Sequence, residues 1–141
     1  MKIVPYQKQK HYETMCRLWD RYGWLPCPQE AIPCAALVAE TVDGEFIAFL
    51  AMYIEPGKIG FIDWALKDRT HDKKISDEAI KTMFDMLVET AKNSKCAFIY
   101  SITKTKSWGE KLLSYGMMTA ETGATTYILS LNGTDVGFIS D

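Results

Sequence analysis

An apolar run that leads through a polar crossing into an amphipathic helix fixes most of what this chain can become. Residues 58–66 read as a strand, 67–75 as the crossing and 76–91 as the helix. A helix start leaves backbone N–H groups without partners and carries a partial positive charge. A strand that ends at such a start is a ready place for an anionic group. The junction is therefore the first candidate site, and an anionic cofactor the first candidate ligand.

The rest of the chain supplies the frame around that junction. Residues 1–6 read as a short strand, with Pro5 suited to an edge. From residue 10 to 22, Tyr12, Met15, Cys16, Trp19 and Tyr22 recur at helical spacing, and Gly23 follows as a stop. Pro26, Pro28 and Pro33 break up residues 24–33, a loop that either connects or walls a site. Residues 35–42 and 45–54 are strand-like and flank Asp43-Gly44, a strong hairpin signal because both turn residues tolerate positive φ. Glu55-Pro56-Gly57 turns again into the strand at 58–66, which completes an antiparallel meander.

In the central helix Ser76 is the expected N-cap, with Asp77 and Glu78 in the first turn. Its apolar face is Ala79, Ile80, Met83, Phe84, Leu87 and Ala91. Residues 96–102 form a continuous apolar run, the pattern of a buried strand parallel to its neighbour. A helix of about ten residues follows, with Trp108, Leu112 and Tyr115 on one side and Gly116 at its end. A last hairpin is expected from 117–121 and 124–131 around Thr122-Gly123. A polar tail covers 132–141, so 1–131 reads as a single domain. The helical crossover implies an α/β arrangement, a mixed sheet covered by helices.

Bulk properties exclude several classes. With 141 residues, 48% hydrophobic, and a net charge of −2, the chain can build one sizeable core and carries no global basic field. Nucleic-acid binding is set aside, because no basic stripe with interleaved aromatics appears and the Lys104-Thr105-Lys106 pair is too small. No apolar run approaches the roughly 18 residues of a membrane-spanning helix, and the N-terminus lacks the apolar region of a signal peptide. Cys16, Cys27, Cys34 and Cys96 form no C-x-x-C pair, and His11 and His71 stand in no metal-ligand cluster. The expectation is a cytoplasmic protein with reduced, mostly buried cysteines and no structural metal.

The element order, together with the pieces LVAETVDGEFIAFLAMYI, FIDWALKD and KLLSYGM, resembles the GNAT superfamily of acyl-CoA-dependent N-acyltransferases. The resemblance spans residues 2–131. It is closest to divergent GNAT-like proteins of phage genomes, which share the aromatic first helix, the Leu-Pro loop (Leu25-Pro26) and a crossing without glycines. It implies a mixed, mostly antiparallel twisted sheet of about seven strands flanked by helices. It also implies acetyl-CoA as co-substrate and a primary amine, on a small molecule or a protein, as acceptor.

In this family R/Q-x-x-G-x-G/A opens the helix and its amides hold the CoA pyrophosphate. Here that signature falls on His71, Asp72, Lys73, Lys74, Ile75 and Ser76, so both glycines are replaced. Lys74 puts a side chain where glycine would let the backbone approach a phosphate. Asp77 and Glu78 add negative charge, while Lys73 and Lys74 can pair with phosphates. Leu66, Asp68, Lys73, Lys74, Ile75, Ser76 and Asp77 are the implied cofactor-binding residues. The family's Asn falls near Thr105 and its Tyr on Leu112, leaving Tyr115 and Tyr100 as the nearby phenols for a general acid. Asp63 is the candidate general base, because burial among apolar neighbours would raise its pKa, and Glu40 is the second carboxylate that can share the cleft. The alternative keeps the fold without the chemistry: a module that binds a protein partner, in a phage or virion context, or forms a homodimer through its aromatic surfaces.

Overall fold

A computed structural model describes residues 1–123, 125 and 127–131. The chain divides into two compact units, Met1–Ile102 and Thr103–Asp141. The first unit holds a five-stranded sheet in the order β1 (Lys2–Pro5), β2 (Ala35–Glu40), β3 (Phe46–Glu55), β4 (Ile59–Lys67) and β5 (Phe98–Tyr100). Neighbours run antiparallel except β4 and β5, which are parallel. The helices α1 (Lys8–Arg21) and α2 (Lys73–Asn93) complete the unit, and a single 3-10 turn (Gln29–Ala31) sits in the loop before β2.

Strand alternation sorts the core into two faces. Phe49 and Ala51 of β3, Val38 of β2 and Leu66 of β4 cluster with Met15, Leu18 and Trp19 of α1. The intervening Leu50 and Met52 face the other way, toward α2, which lies mainly against β3 and β2. All six residues expected on the apolar face of α2 are buried. The turn glycines behave as their positions require: Gly23 closes α1 at φ 72° and Gly44 turns the hairpin at φ 88°. At Gly60 a Cβ would stand 3.0 Å from the Met52 Sδ and 3.2 Å from the Ile99 Cγ1, so the missing side chain lets β3, β4 and β5 lie close. Gly60→Ala is expected to cost about 1 kcal/mol, read as a lower denaturant midpoint, because Ile99 has little room to give.

The second unit contains α3 (Lys106–Ser114), with Leu112 buried. The helix ends at Gly116, φ 101°, where the Met117 N–H returns to the Leu112 carbonyl.

Four expectations are corrected. The sheet has five strands among the described residues, not about seven. Residues 117–123, 125 and 127–131 carry no ladder, while Ala124, Thr126 and the tail 132–141 lie outside the described residues. Met118, Tyr127 and Leu129 there are more than 80% exposed, and an isolated hairpin without a packed face has little to hold it. The helix start is Asp72, not Ser76: the Asp72 carboxylate accepts the Lys74 N–H at 2.8 Å, and Ser76 is already inside the first turn. Both residue types are good caps, and the one four residues closer to the strand won. Strand β5 is short and partly exposed rather than buried, with Phe98 at 56%. Glu40 lies in β2, with β3 between it and β4, so it shares no cleft with Asp63.

Candidate active site

Three features of β4 build the site. The first is its outer edge. Strand β5 pairs only with Ile59, Gly60 and Phe61, through Phe98, Ile99 and Tyr100, while β4 runs on to Lys67. Residues 62–67, roughly 20 Å of strand at 3.3 Å per residue, therefore have no strand paired on that side among the described residues. Two hydroxyls mark the edge: Ser101 donates to the Ile62 carbonyl at 2.8 Å and Tyr22 to the Lys67 carbonyl at 2.9 Å. The Asp68 N–H donates to the Ile47 carbonyl across the ladder, so by alternation the amide of Leu66 belongs to β3 and that of Lys67 to the open edge. The Leu66 side chain is buried in the α1 core, so only its stretch of backbone can meet a ligand.

The second feature is a bulge. Ala51 opposes Asp63 and Phe49 opposes Leu66, so β4 carries one extra residue between them. The kink falls on Trp64, which takes φ 63°, a left-handed conformation unusual for a bulky residue. Its neighbours over-determine it. The indole Nε1 donates to the Tyr53 hydroxyl at 2.8 Å, that hydroxyl donates to the Ala31 carbonyl at 2.6 Å, and Trp19 packs edge-on at 6.4 Å. The Trp64 amide donates to the Asp63 Oδ1 at 2.7 Å.

The third feature is Asp63. It faces the α1 side with Phe61 and Tyr53, half-buried. Burial pushes its carboxyl above the ordinary value of 3.8, and the hydrogen bond from Trp64 offsets part of that. Cys27, buried in the loop after α1, feels its charge: the thiol is pushed up to about 12, first by burial and then by Asp63. Cys27 is therefore a neutral wall of the site rather than a nucleophile. All four cysteines are free, with Cys34 exposed and Cys16 and Cys96 half-buried.

At the far end of β4 the crossing enters α2. The Asp68 carboxylate folds back on the N–H and hydroxyl of Thr70. His71, at the family's Arg/Gln place, hydrogen-bonds the Phe46 carbonyl at 2.8 Å through Nε2. In the first turn the Ser76 N–H goes to the Asp72 carbonyl and the Lys74 N–H to its carboxylate, and the amides of Lys73 and Ile75 have no partner among the described residues. The Lys73 Nζ pairs with Asp77 at 2.7 Å, while Lys74 and Ile75 are exposed. The Ser76 hydroxyl is buried without a partner among the described residues. Beside them the Arg69 guanidinium lies 3.9 Å over the Tyr22 ring, and its amide donates to the Tyr22 hydroxyl.

The structure thus brings Asp63 and Tyr100 to one face of one sheet. Tyr100 packs edge-on against Phe61 at 4.7 Å, opposite Asp63's own strand. Tyr115 caps the C-terminal end of α3 in the second unit. Glu40 belongs elsewhere: it is fully buried, 2.9 Å from both the Lys10 Nζ and the His11 Nε2, and roughly 19 Å from Asp63 by strand geometry, two strands across and five ladder positions along. Sequence reasoning missed Tyr53, Trp64 and Cys27. The alternation of β3 places Tyr53 with Ala51, which was a usable signal, but nothing in a tryptophan announces a left-handed bulge.

No family model and no curated protein matches the sequence. Solved structures do. The chain is similar to a ribosomal-protein-alanine N-acetyltransferase of Brucella melitensis biovar Abortus 2308, with 20% identity, 92% of this chain and 98% of that one covered, and a TM-score of 0.64. It is similar to the glucosamine-6-phosphate N-acetyltransferase of Arabidopsis thaliana, with 14% identity, 89% and 97% covered, and a TM-score of 0.61. It is also similar to an acetyltransferase of the GNAT family from Staphylococcus aureus Mu50, with 13% identity, 82% of each chain covered, and a TM-score of 0.63. Together with the open edge and bulge of β4, these likenesses show that the chain has the fold of the GNAT acetyltransferases.

Proposed function

We propose that the chain is an N-acetyltransferase that moves an acetyl group from acetyl-CoA to a primary amine. One observation carries this reading: a half-buried carboxylate of raised pKa, Asp63, stands at the bulge where β4 parts from β5. A base whose pKa is raised, beside an edge that can take an extended ligand, is what amine acylation needs. The free backbone of β4 fits an extended amide-bearing arm. The amides of Lys73 and Ile75, with the exposed Lys74 ammonium, fit a phosphate group.

When bound, the thioester supplies the acyl carbonyl. Asp63 takes the proton from the amine, and an outer-edge amide of β4 beyond the bulge polarises the carbonyl oxygen. Asp63 is half-buried, and its carboxylate accepts the Trp64 amide, which holds it in place. Transfer is accordingly expected to rise with pH through the raised pKa of Asp63.

Calorimetric titration of acetyl-CoA tests the reading directly. Micromolar binding is expected. Lys73→Glu with Lys74→Glu is expected to weaken it about tenfold or more, since two charges near the pyrophosphate change sign. No heat at millimolar ligand from a folded sample would end the acetyltransferase reading. A specific observation favours a second reading, a module that binds without chemistry: the Asp72 carboxylate already occupies one of the amides a pyrophosphate would use. Under that reading Asp72→Asn would leave the protein as blind to CoA as before. Under the first it would tighten binding by removing a competing charge.

A further inference from the structure

The walls around Asp63 say more about the acceptor than about the donor. An aromatic row crosses three strands on its face of the sheet. Tyr53 and Phe61 stand with ring centroids 6.3 Å apart, Phe61 and Tyr100 4.7 Å, and Tyr100 and Phe98 6.2 Å. The row ends in solvent at Phe98, 56% exposed, with Ile102 four residues on at 57%. Asp63 follows Phe61 by two residues on the same face, so the carboxylate stands at the inner end of this ledge. Among the described residues no Lys, Arg or His forms an ion pair with Asp63, whose only resolved favourable contact is the Trp64 amide. The buried Cys27 thiol feels two charges of the same sign, Asp63 and then, more weakly, Glu30 in the 3-10 turn.

A half-buried anion without a cation, at the end of an open aromatic shelf, is suited to an ammonium group on an apolar body. It is equally unsuited to a second anion, because a carboxylate or phosphate next to the amine would face Asp63 in poorly solvated surroundings. We infer that the acceptor is an alkyl or arylalkyl primary amine carrying no anionic group beside its nitrogen. This rests on the acetyltransferase reading and narrows it: amino acids and phosphorylated amino sugars are excluded. The step balances as follows. Asp63 takes one proton from the bound ammonium. The freed nitrogen lone pair forms the C–N bond to the thioester carbonyl carbon, and the C–S bond breaks. The departing CoA sulfur takes the second proton from that nitrogen. The products are the acetamide, CoA thiol and the proton that Asp63 returns to water.

A matched pair isolates the inference, since phenylalanine is phenethylamine with one added carboxylate. Thiol release from acetyl-CoA is expected to give a kcat/KM for phenethylamine about a hundredfold above that for phenylalanine, and above that for glucosamine 6-phosphate. Tyr100→Leu, which keeps an apolar neighbour for Phe61 but removes the π face, is expected to raise KM for phenethylamine about two- to fivefold. Equal or better use of phenylalanine or glucosamine 6-phosphate would overturn the inference. Calorimetric binding of the two amines in the presence of CoA provides a readout that needs no turnover. A tenfold preference for phenethylamine upholds the inference; binding of neither, or of both alike, overturns it. Failure to bind acetyl-CoA itself bears on the function reading alone.

Discussion

Asp63→Asn is expected to lower kcat/KM for acetyl transfer by a hundredfold or more and, at the same time, to raise the melting temperature. The first effect is the loss of a positioned base, an asset that general-base catalysis values at about 10²–10⁴. The second follows from the sign of the pKa shift. Burial raises the Asp63 carboxyl above its ordinary 3.8, so the folded state disfavours the ionised form more than the unfolded chain does. Stability is therefore highest below that ordinary value and is lost as pH rises through the folded pKa. Above the folded pKa the fold bears the full cost of the charge. Asparagine removes the charge and keeps an oxygen to accept the Trp64 amide at the same place. Differential scanning calorimetry at pH 7, beside thiol release at saturating acetyl-CoA, checks both halves. A variant that melts lower and still turns over normally would show Asp63 to be a structural acid. A residue that weakens the fold and serves the reaction is a familiar trade.

Glu40→Gln should do the opposite: large damage to the fold, none to the chemistry. The Glu40 carboxylate is completely buried and gathers three partners, Lys10 at 2.9 Å, His11 at 2.9 Å and Lys2 at 3.9 Å. The Gln7 N–H donates to the His11 Nδ1 at 2.9 Å, which puts the ring proton on Nε2 and aims it at Glu40. The cluster ties the start of α1 to β1 and β2. Burial acts to raise the Glu40 pKa, but the hydrogen bonds from Lys10 and His11 outweigh it, so the carboxyl titrates below its ordinary 4.5. Its stabilisation is present in full above pH 4.5 and disappears as pH falls through the lowered folded pKa. Removing one member of a buried ionic cluster costs about 3 kcal/mol. For a chain of this size that is a drop in melting temperature of roughly 10 °C at neutral pH. The difference between variant and wild type should shrink in acid. Equal melting temperatures at pH 7 would mean that the cluster contributes nothing net.

The contrast between these two acids shows where sequence reading reaches and where it stops. Both sit in strands among apolar residues, and from the sequence alone both were candidates for one cleft. What separates them is long-range. Lys10 and His11 reach Glu40 across about thirty residues of chain, and the placement of β3 between β2 and β4 sets the carboxylates apart. Local signals did better. Gly44, Gly23 and Gly116 mark turns and helix ends because each needs a conformation that few residues tolerate. The buried faces of α1 and α2 follow from their period. The helix start was ambiguous because Asp72 and Ser76 are both competent caps, and geometry chose the one whose carboxylate meets the Lys74 amide. The bulge at Trp64 was invisible for a deeper reason. Its left-handed backbone is imposed by Tyr53, Trp19 and Asp63, and nothing in its own residue type asks for it.

The open flank of β4 raises the problem of any exposed strand, which can recruit copies of itself into growing aggregates. Here the invitation is withdrawn at both ends. Ser101 and Tyr22 already occupy the carbonyls of Ile62 and Lys67, and the irregular backbone between them breaks the even spacing a neighbouring strand would need. A thin, flexible guest can find single donors along such a margin, while another polypeptide finds no regular ladder to extend. The same kink that sets Asp63 at the opening thus also acts as a safeguard of solubility.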